Sequence, residues 1–205
     1  SISGNGKLIG GTLNGEAHLW SEQYDCAMDD VLGVQGDIAA KVVDGLNIDI
    51  DGSRKAVIIK RHTENPEAYH LFLKGCYFMS REGPDGQQKA ATYYRSAISE
   101  DPEYALAYAS LSICNSIMWT WDYAPSIGTL VEAKQLALRA IELDETLGNA
   151  HSALGFARMY LDWDWHGARS SLVRARQLSP GFEFSHNLYA IYCTAIGKKE
   201  EAVAA

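Results

Sequence analysis

The sequence predicts a mainly α protein, a helix-turn-helix solenoid preceded by a small partial α/β piece built from a β-hairpin and one helix. Three observations predict it. An alanine-anchored phrase recurs along the second part of the chain, an apolar stretch at helical spacing precedes each copy, and the first fifty-eight residues lack the phrase altogether.

The anchor alanines stand at Ala90, Ala133, Ala168 and Ala202, spaced 43, 35 and 34 residues apart. Within each complete copy two small residues lie two helical turns apart on one face: Ala90 and Ala97, Ala133 and Ala140, Ala168 and Ala175. They permit close helix approach, with Tyr94, Ala137 or Leu172 filling the space between. This period and pattern resemble the tetratricopeptide repeat, whose unit is about 34 residues of paired helices. One pair cannot bury its apolar face alone, so stacked neighbours supply the core.

The partner helices are expected at Glu67 to Met79, Ala105 to Ile117, Asn149 to Tyr160 and Glu183 to Ile196, each with a small residue at Gly75, Ser112, Gly155 or Ala190. From that residue to the next anchor the distances are 15, 21, 13 and 12 residues, so the second unit carries about nine extra residues between its helices. Pro66, Pro102 and Pro180 sit just ahead of helices, where a missing N–H costs little, and Asp85 and Asp164 are placed to cap second helices. The array is therefore predicted over residues 59–205, with repeats at 66–102, 103–145, 146–180 and 181–205.

Residues 1–58 read differently. Asn14-Gly15 between apolar runs predicts a hairpin over about 7–22, and Val31, Leu32, Val34, Ile38, Val42, Val43 and Leu46 fall on one face of a helix over about 28–46, capped by Asp29 or Asp30. A hairpin and one helix sustain little core, so this region is expected to be the tail of a larger α/β domain, joined by a polar linker around Asp51-Gly52-Ser53. The missing initiator Met and the unfinished helix at the last residues fit a fragment.

Several words resemble a group of bacterial multidomain proteins: Leu19-Trp20-Ser21-Glu22-Gln23-Tyr24-Asp25, Asp29-Asp30-Val31-Leu32-Gly33-Val34-Gln35-Gly36-Asp37-Ile38-Ala39, Asn65-Pro66-Glu67-Ala68-Tyr69, Tyr104-Ala105-Leu106-Ala107-Tyr108-Ala109 and Asp162-Trp163-Asp164-Trp165-His166-Gly167-Ala168. In that group a small α/β domain precedes a tetratricopeptide array, and the upstream effector is a winged-helix DNA-binding domain, a class III adenylate cyclase or a protein kinase. None of the effector's own motifs occurs in these 205 residues, so its activity is not carried over. The widely separated cysteines fit a cytoplasmic location; the alternative that the resemblance implies is the periplasmic side of a regulator anchored by an upstream span.

Composition narrows the function. An apolar fraction of 47% argues against disorder, and a net charge of −8 leaves no general basic surface for nucleic acid. No stretch approaches the roughly 20 apolar residues of a membrane span. Cys26, Cys76, Cys114 and Cys193 form no C-x-x-C pair and are expected to be reduced, packed thiols. The histidines at 18, 62, 70, 151, 166 and 186 lack metal-ligand spacing, neither nucleotide-loop pattern is satisfied, and no nucleophile elbow occurs. The expectation is a non-enzyme with no cofactor and no metal. Trp119, Trp121, Trp163 and Trp165 form two W-x-W pairs, expected to plug the gaps between repeats.

Function then falls to the concave groove lined by first helices. Its predicted lining is Leu106, Ala109, Ile113, Asn149, Ser152, Phe156, Tyr160, Phe184, Asn187 and Ile191, an apolar and amide-rich set without the cations that clamp a terminal carboxylate. The predicted partner is a protein or peptide, including another domain of the parent protein. The alternative is a spacer or dimerisation segment forming a homodimer within a larger cyclase, kinase or regulator.

Overall fold

The computed structural model describes residues 6–9, 21–24, 60–81 and 83–203. The chain divides into two compact units, Ser1–Pro66 and Glu67–Ala205. In the first, β1 (Gly6–Ile9) and β2 (Ser21–Tyr24) pair antiparallel, Gly6 opposite Tyr24 and Ile9 opposite Ser21. The Asn14-Gly15 turn, the helix expected over 28–46 and the linker lie outside the described residues.

The second unit is built of helix pairs: α1 (Pro66–Met79) with α2 (Pro84–Glu100), α3 (Ala105–Thr120) with α4 (Ile127–Leu143), α5 (Gly148–Ala157) with α6 (Trp165–Leu178), and α7 (Glu183–Ala195) with α8 (Lys199–Val203). From α3 onward each first helix also packs on the second helix of the preceding pair and on a neighbouring first helix, as α3 does on α2 and on α5. The stack is thus continuous, and its fold is a tetratricopeptide-like solenoid.

The anchor alanines explain the close approach. Ala90, Ala97, Ala133, Ala140, Ala168 and Ala175 are all wholly buried. Opposite them the first helices offer a residue with little or no side chain. A Cβ added to Gly75 would lie 2.5 Å from the Tyr94 ring, and one added to Gly155 would lie 2.7 Å from Leu172. The second pair meets the same demand with Ser112, whose hydroxyl donates to the Ala133 carbonyl at 2.6 Å. Size is complementary across each pair, large against glycine and small against serine.

One turn joins each pair to the next, and it recurs three times. The N–H of Tyr104 donates to Asp101 O (3.1 Å), that of Leu147 to Asp144 O (3.3 Å), and that of Phe182 to Ser179 O (3.1 Å). Pro102 and Pro180 take the second position of this four-residue turn, where their fixed φ fits. Asp101 and Asp144 brace it by accepting the N–H two residues on, at 3.0 and 3.1 Å. In the last two copies a first-helix histidine adds a latch: His151 Nε2 lies 2.9 Å from Glu145 O, and His186 Nε2 lies 2.8 Å from Pro180 O.

The turns within pairs share another constraint. Among the described residues the positive φ values fall at Gly83 (92°), Asp122 (62°), Trp163 (55°) and Gly197 (79°), one in each within-pair connection. The uneven spacings have distinct causes. The single extra residue of the third unit is absorbed where α5 continues as a π turn, Arg158–Asp162, the usual outcome of one insertion into a helix. In the second unit α3 runs on to Thr120, and residues 121–126 connect it to α4, whose start Ser126 caps by accepting Gly128 N–H at 3.1 Å.

Asp164 caps α6 as expected, accepting Gly167 N–H at 2.8 Å. Asp85 does not cap α2. Pro84 fixes the first helical position after Gly83, so Asp85 falls inside the first turn, where its charge still complements the helix dipole.

Two changes test this packing. Gly155→Val forces methyl groups into Leu172 and is expected to lower the unfolding free energy by about 1–3 kcal/mol in urea titration. Asn115, wholly buried in α3, has no hydrogen-bond partner for either side-chain atom. Leaving a buried amide unsatisfied costs about 1–3 kcal/mol, so Asn115→Leu is expected to raise the denaturation midpoint.

Candidate functional site

The C-terminal ends of α3 and α5 and one face along the whole of α7 converge on a groove of about 600 Å³. α3 contributes Ile117 and Thr120, and Trp121 follows directly after it; α5 and its π turn contribute Phe156 and Tyr160. The rest of the lining comes from α7, including Phe184, Asn187, Leu188, Ile191 and Thr194. No charged side chain lines it.

Aromatic contacts hold the floor rigid. Trp119 meets Phe156 edge-on at 6.2 Å and Tyr160 at 5.6 Å, and the Phe156 and Tyr160 rings lie 4.6 Å apart. Burial raises the Tyr160 phenol above its ordinary value, so at neutral pH its hydroxyl stays protonated and able to donate. Asn187 adds a neutral donor and acceptor at the rim, and Thr120 and Thr194, whose hydroxyls donate to Ser116 O and Ala190 O at 2.8 Å each, add acceptors. The arrangement suits recognition of an apolar, uncharged segment and offers no nucleophile or general base.

Of the ten residues read from the sequence, the structure brings five together here: Phe156, Tyr160, Phe184, Asn187 and Ile191. Ala109, Ile113 and Ser152 are buried between helices instead. Ala109 packs with Ala140, Leu147 and Ala150 where three helices meet, and Ile113 packs with Ala137, Ala153 and Leu154. Ser152 shares a 2.6 Å hydrogen bond with Ser185, a polar link between the third and fourth units. Leu106 and Asn149 are half-buried near the starts of their helices, away from the groove lining. Absent from the set read in the sequence are Ile117 and Thr120, one to two turns beyond Ile113, Trp121 after them, Leu188 and Ala190 among the α7 residues that were read, and Thr194 and Ala195 a turn beyond Ile191.

The W-x-W pairs divide by role. Trp119 and Trp165 plug between units, Trp165 facing Tyr192 at 6.3 Å. Trp121 and Trp163 are instead 65% and 71% exposed, because residues two apart on a helix end cannot both face the same neighbour. Trp121 also lines a second cavity of about 370 Å³ with Arg81, Gln87, Ile117 and Tyr123, adjoining the groove. Cys76, Cys114 and Cys193 are free thiols, and Cys26 lies outside the described residues. Burial pushes the Cys114 thiol up to about 12, which leaves it inert. Among the described residues no His, Cys, Asp and Glu cluster could hold a metal ion, and no helix is long and apolar enough to cross a membrane.

Solved structures share this fold. A thermophilic TPR protein of Thermus thermophilus matches with a TM-score of 0.57 and 19% identity, over 87% of this chain and 87% of that one. The Sgt2 TPR domain from Aspergillus fumigatus matches with 0.51 and 19% identity, over 69% of this chain and 87% of the other. The first TPR of Spaghetti (RPAP3) bound to HSP90 peptide SRMEEVD matches with 0.50 and 17% identity, over 67% and 99%. No protein-family model matches the chain. A curated protein of Rhizobium meliloti (strain 1021), named "Putative adenylate cyclase 3", is 29% identical over 161 residues, 78% of this chain. The chain spans only 26% of the length of that relative.

The division among the tryptophans is measurable. Trp119→Ala is expected to cost about 2–4 kcal/mol of stability, whereas Trp121→Ala should change it by less than about 0.5 kcal/mol, both read from thermal or urea unfolding.

Proposed function

We propose that the chain is a non-catalytic binding module of a larger bacterial signalling or regulatory protein, and that its helical array holds a largely apolar polypeptide segment in the groove of α3, α5 and α7. The observation that carries this reading is a groove of about 600 Å³ lined by aromatic, aliphatic and amide side chains and by no charge. The predicted contacts are Phe184, Asn187 and Ile191 at the surface, over the floor of Phe156 and Tyr160. The array is assigned to residues 59–205 and the partial α/β piece to residues 1–58, the latter proposed to position an effector domain of the larger protein. The three free thiols favour the cytoplasmic side.

The solenoid of Spaghetti holds an acidic-tailed peptide, SRMEEVD. An uncharged groove gives such a tail no cation to pair with, and burying carboxylates there without a partner is unfavourable. The expected ligand therefore differs in chemistry from that peptide.

Peptide-display selection on the whole chain is expected to enrich uncharged sequences with aromatic or branched anchors. Ile191→Asp and Phe184→Asp should each weaken the selected peptides by at least about tenfold in fluorescence titration, with the helical circular dichroism retained. Selected peptides that bind both variants as well as the parent, or preference for SRMEEVD, would sink the reading.

A further inference from the structure

The end of α3 leaves one large ring without a structural task. Trp121 is 65% exposed, follows directly after the last residue of α3 and borders the groove. Its backbone is fixed on both sides. The Trp121 N–H donates to Ile117 O at 3.0 Å, that of Asp122 to Trp119 O at 3.2 Å and that of Tyr123 to Met118 O at 2.8 Å, with Asp122 at a φ of 62°. The last two are the paired bonds of a Schellman cap, and its apolar clasp is present as well, because Tyr123 packs against the core cluster that holds Met118. The cap employs Met118, Trp119, Asp122 and Tyr123; it asks nothing of the Trp121 side chain.

The groove lining is also chemically uneven. Three of the five residues supplied by the α3 end and by α5 with its π turn carry rings, Trp121, Phe156 and Tyr160, whereas Phe184 alone does so among the seven from α7. Phe156 is buried and Tyr160 half-buried, both in ring contact with Trp119, so Trp121 is the ring on that side with its surface open to a ligand. On the opposite side α7 presents Leu188 and Ile191, aliphatic and of similar reach.

We infer that Trp121 is the specificity-determining residue of the groove, and that its indole receives an aromatic side chain of the bound segment while the α7 side receives an aliphatic one. The inference rests on the groove reading and adds to it the kind and order of the anchors. Offset or edge-on ring pairs stabilise beyond the area they bury, and a ring whose backbone is already fixed loses little freedom in making one. A cationic side chain also seats over an indole, but no carboxylate lines the groove to neutralise it there. A tryptophan at the edge of a concave site, exposed and rigidly mounted, has the size and preorganisation of a binding hot spot.

The test uses the full chain and, as probe, the tightest peptide from display selection on it, labelled with fluorescein and followed by anisotropy. Trp121→Ala is expected to weaken binding at least about tenfold with the unfolding midpoint unchanged. Trp121→Phe should hold affinity within about threefold of the parent, whereas Trp121→Leu, apolar without a ring, should not. Replacing the peptide's aromatic anchor by Leu should cost the parent chain at least about fivefold and the Trp121→Ala variant less than about twofold, the coupling of a direct contact. Ile191→Asp is the control for the groove itself. No enriched peptide, or binding indifferent to both Ile191→Asp and Trp121→Ala, removes the groove and this inference with it. Loss with Ile191→Asp alone, full affinity in Trp121→Leu, or selection of peptides without an aromatic residue overturns this inference and leaves the groove standing.

Discussion

Everything in the array depends on one contact geometry, the interlock between a second-helix side chain and a first-helix position with no room for a side chain. Tyr94 against Gly75 and Leu172 against Gly155 bring the two backbones of a pair together, and the buried alanines on either side keep them there. The spacing within a pair fixes where the next pair docks, because each first helix packs on the second helix before it. The groove inherits its position from that stacking. Phe156 directly follows Gly155, so the same helix that yields its small face to Leu172 offers its next residue to the groove floor.

The helical array was legible because its signals are local and repeated. Small residues seven apart, prolines after helix ends and a carboxylate such as Asp164 ahead of a helix each act within a few residues, and four copies in phase leave little ambiguity. Asp85 misled because Gly83-Pro84 moved the helix start two residues earlier, a choice made by backbone conformation and not by side-chain capacity. The uneven spacing was legible as a number and not as a shape. One extra residue became a π turn after Ala157, while nine became a longer α3 and a separate connection, and periodicity alone does not distinguish these outcomes.

Half of the groove was legible and half was not, for a reason rooted in the solenoid itself. Interior first helices are covered on several sides, so α3 buries almost every residue of its central turns, including Ala109 and Ile113. Residues at groove spacing near the helix starts are consumed by the packing of three helices, as Ser152 is by its hydrogen bond to Ser185. The open surface survives toward the ends of α3 and α5, where Trp119, Phe156 and Tyr160 prop the units apart, and along one face of α7 from Phe184 onward. A period finds the face of a helix; it does not say how far along that face neighbours intrude.

The two W-x-W pairs show how the fold converts a sequence motif into two different environments. In each pair one ring is spent on the joint between units, where burial repays its large apolar area. The other stands in solvent next to, or at, a residue held at positive φ, Asp122 in one case and Trp163 itself in the other. The first and fourth units place Gly83 and Gly197 in their own within-pair turns, which shows that the solenoid tolerates the smallest residue there. A tryptophan in that left-handed conformation, with most of its surface exposed, returns little packing energy to the array for the strain it carries. Its neighbour in kind, Trp121, borders both cavities. The within-pair edge of the array is thus where the sequence departs furthest from what folding alone asks of it, and Trp121 ties that edge to the groove.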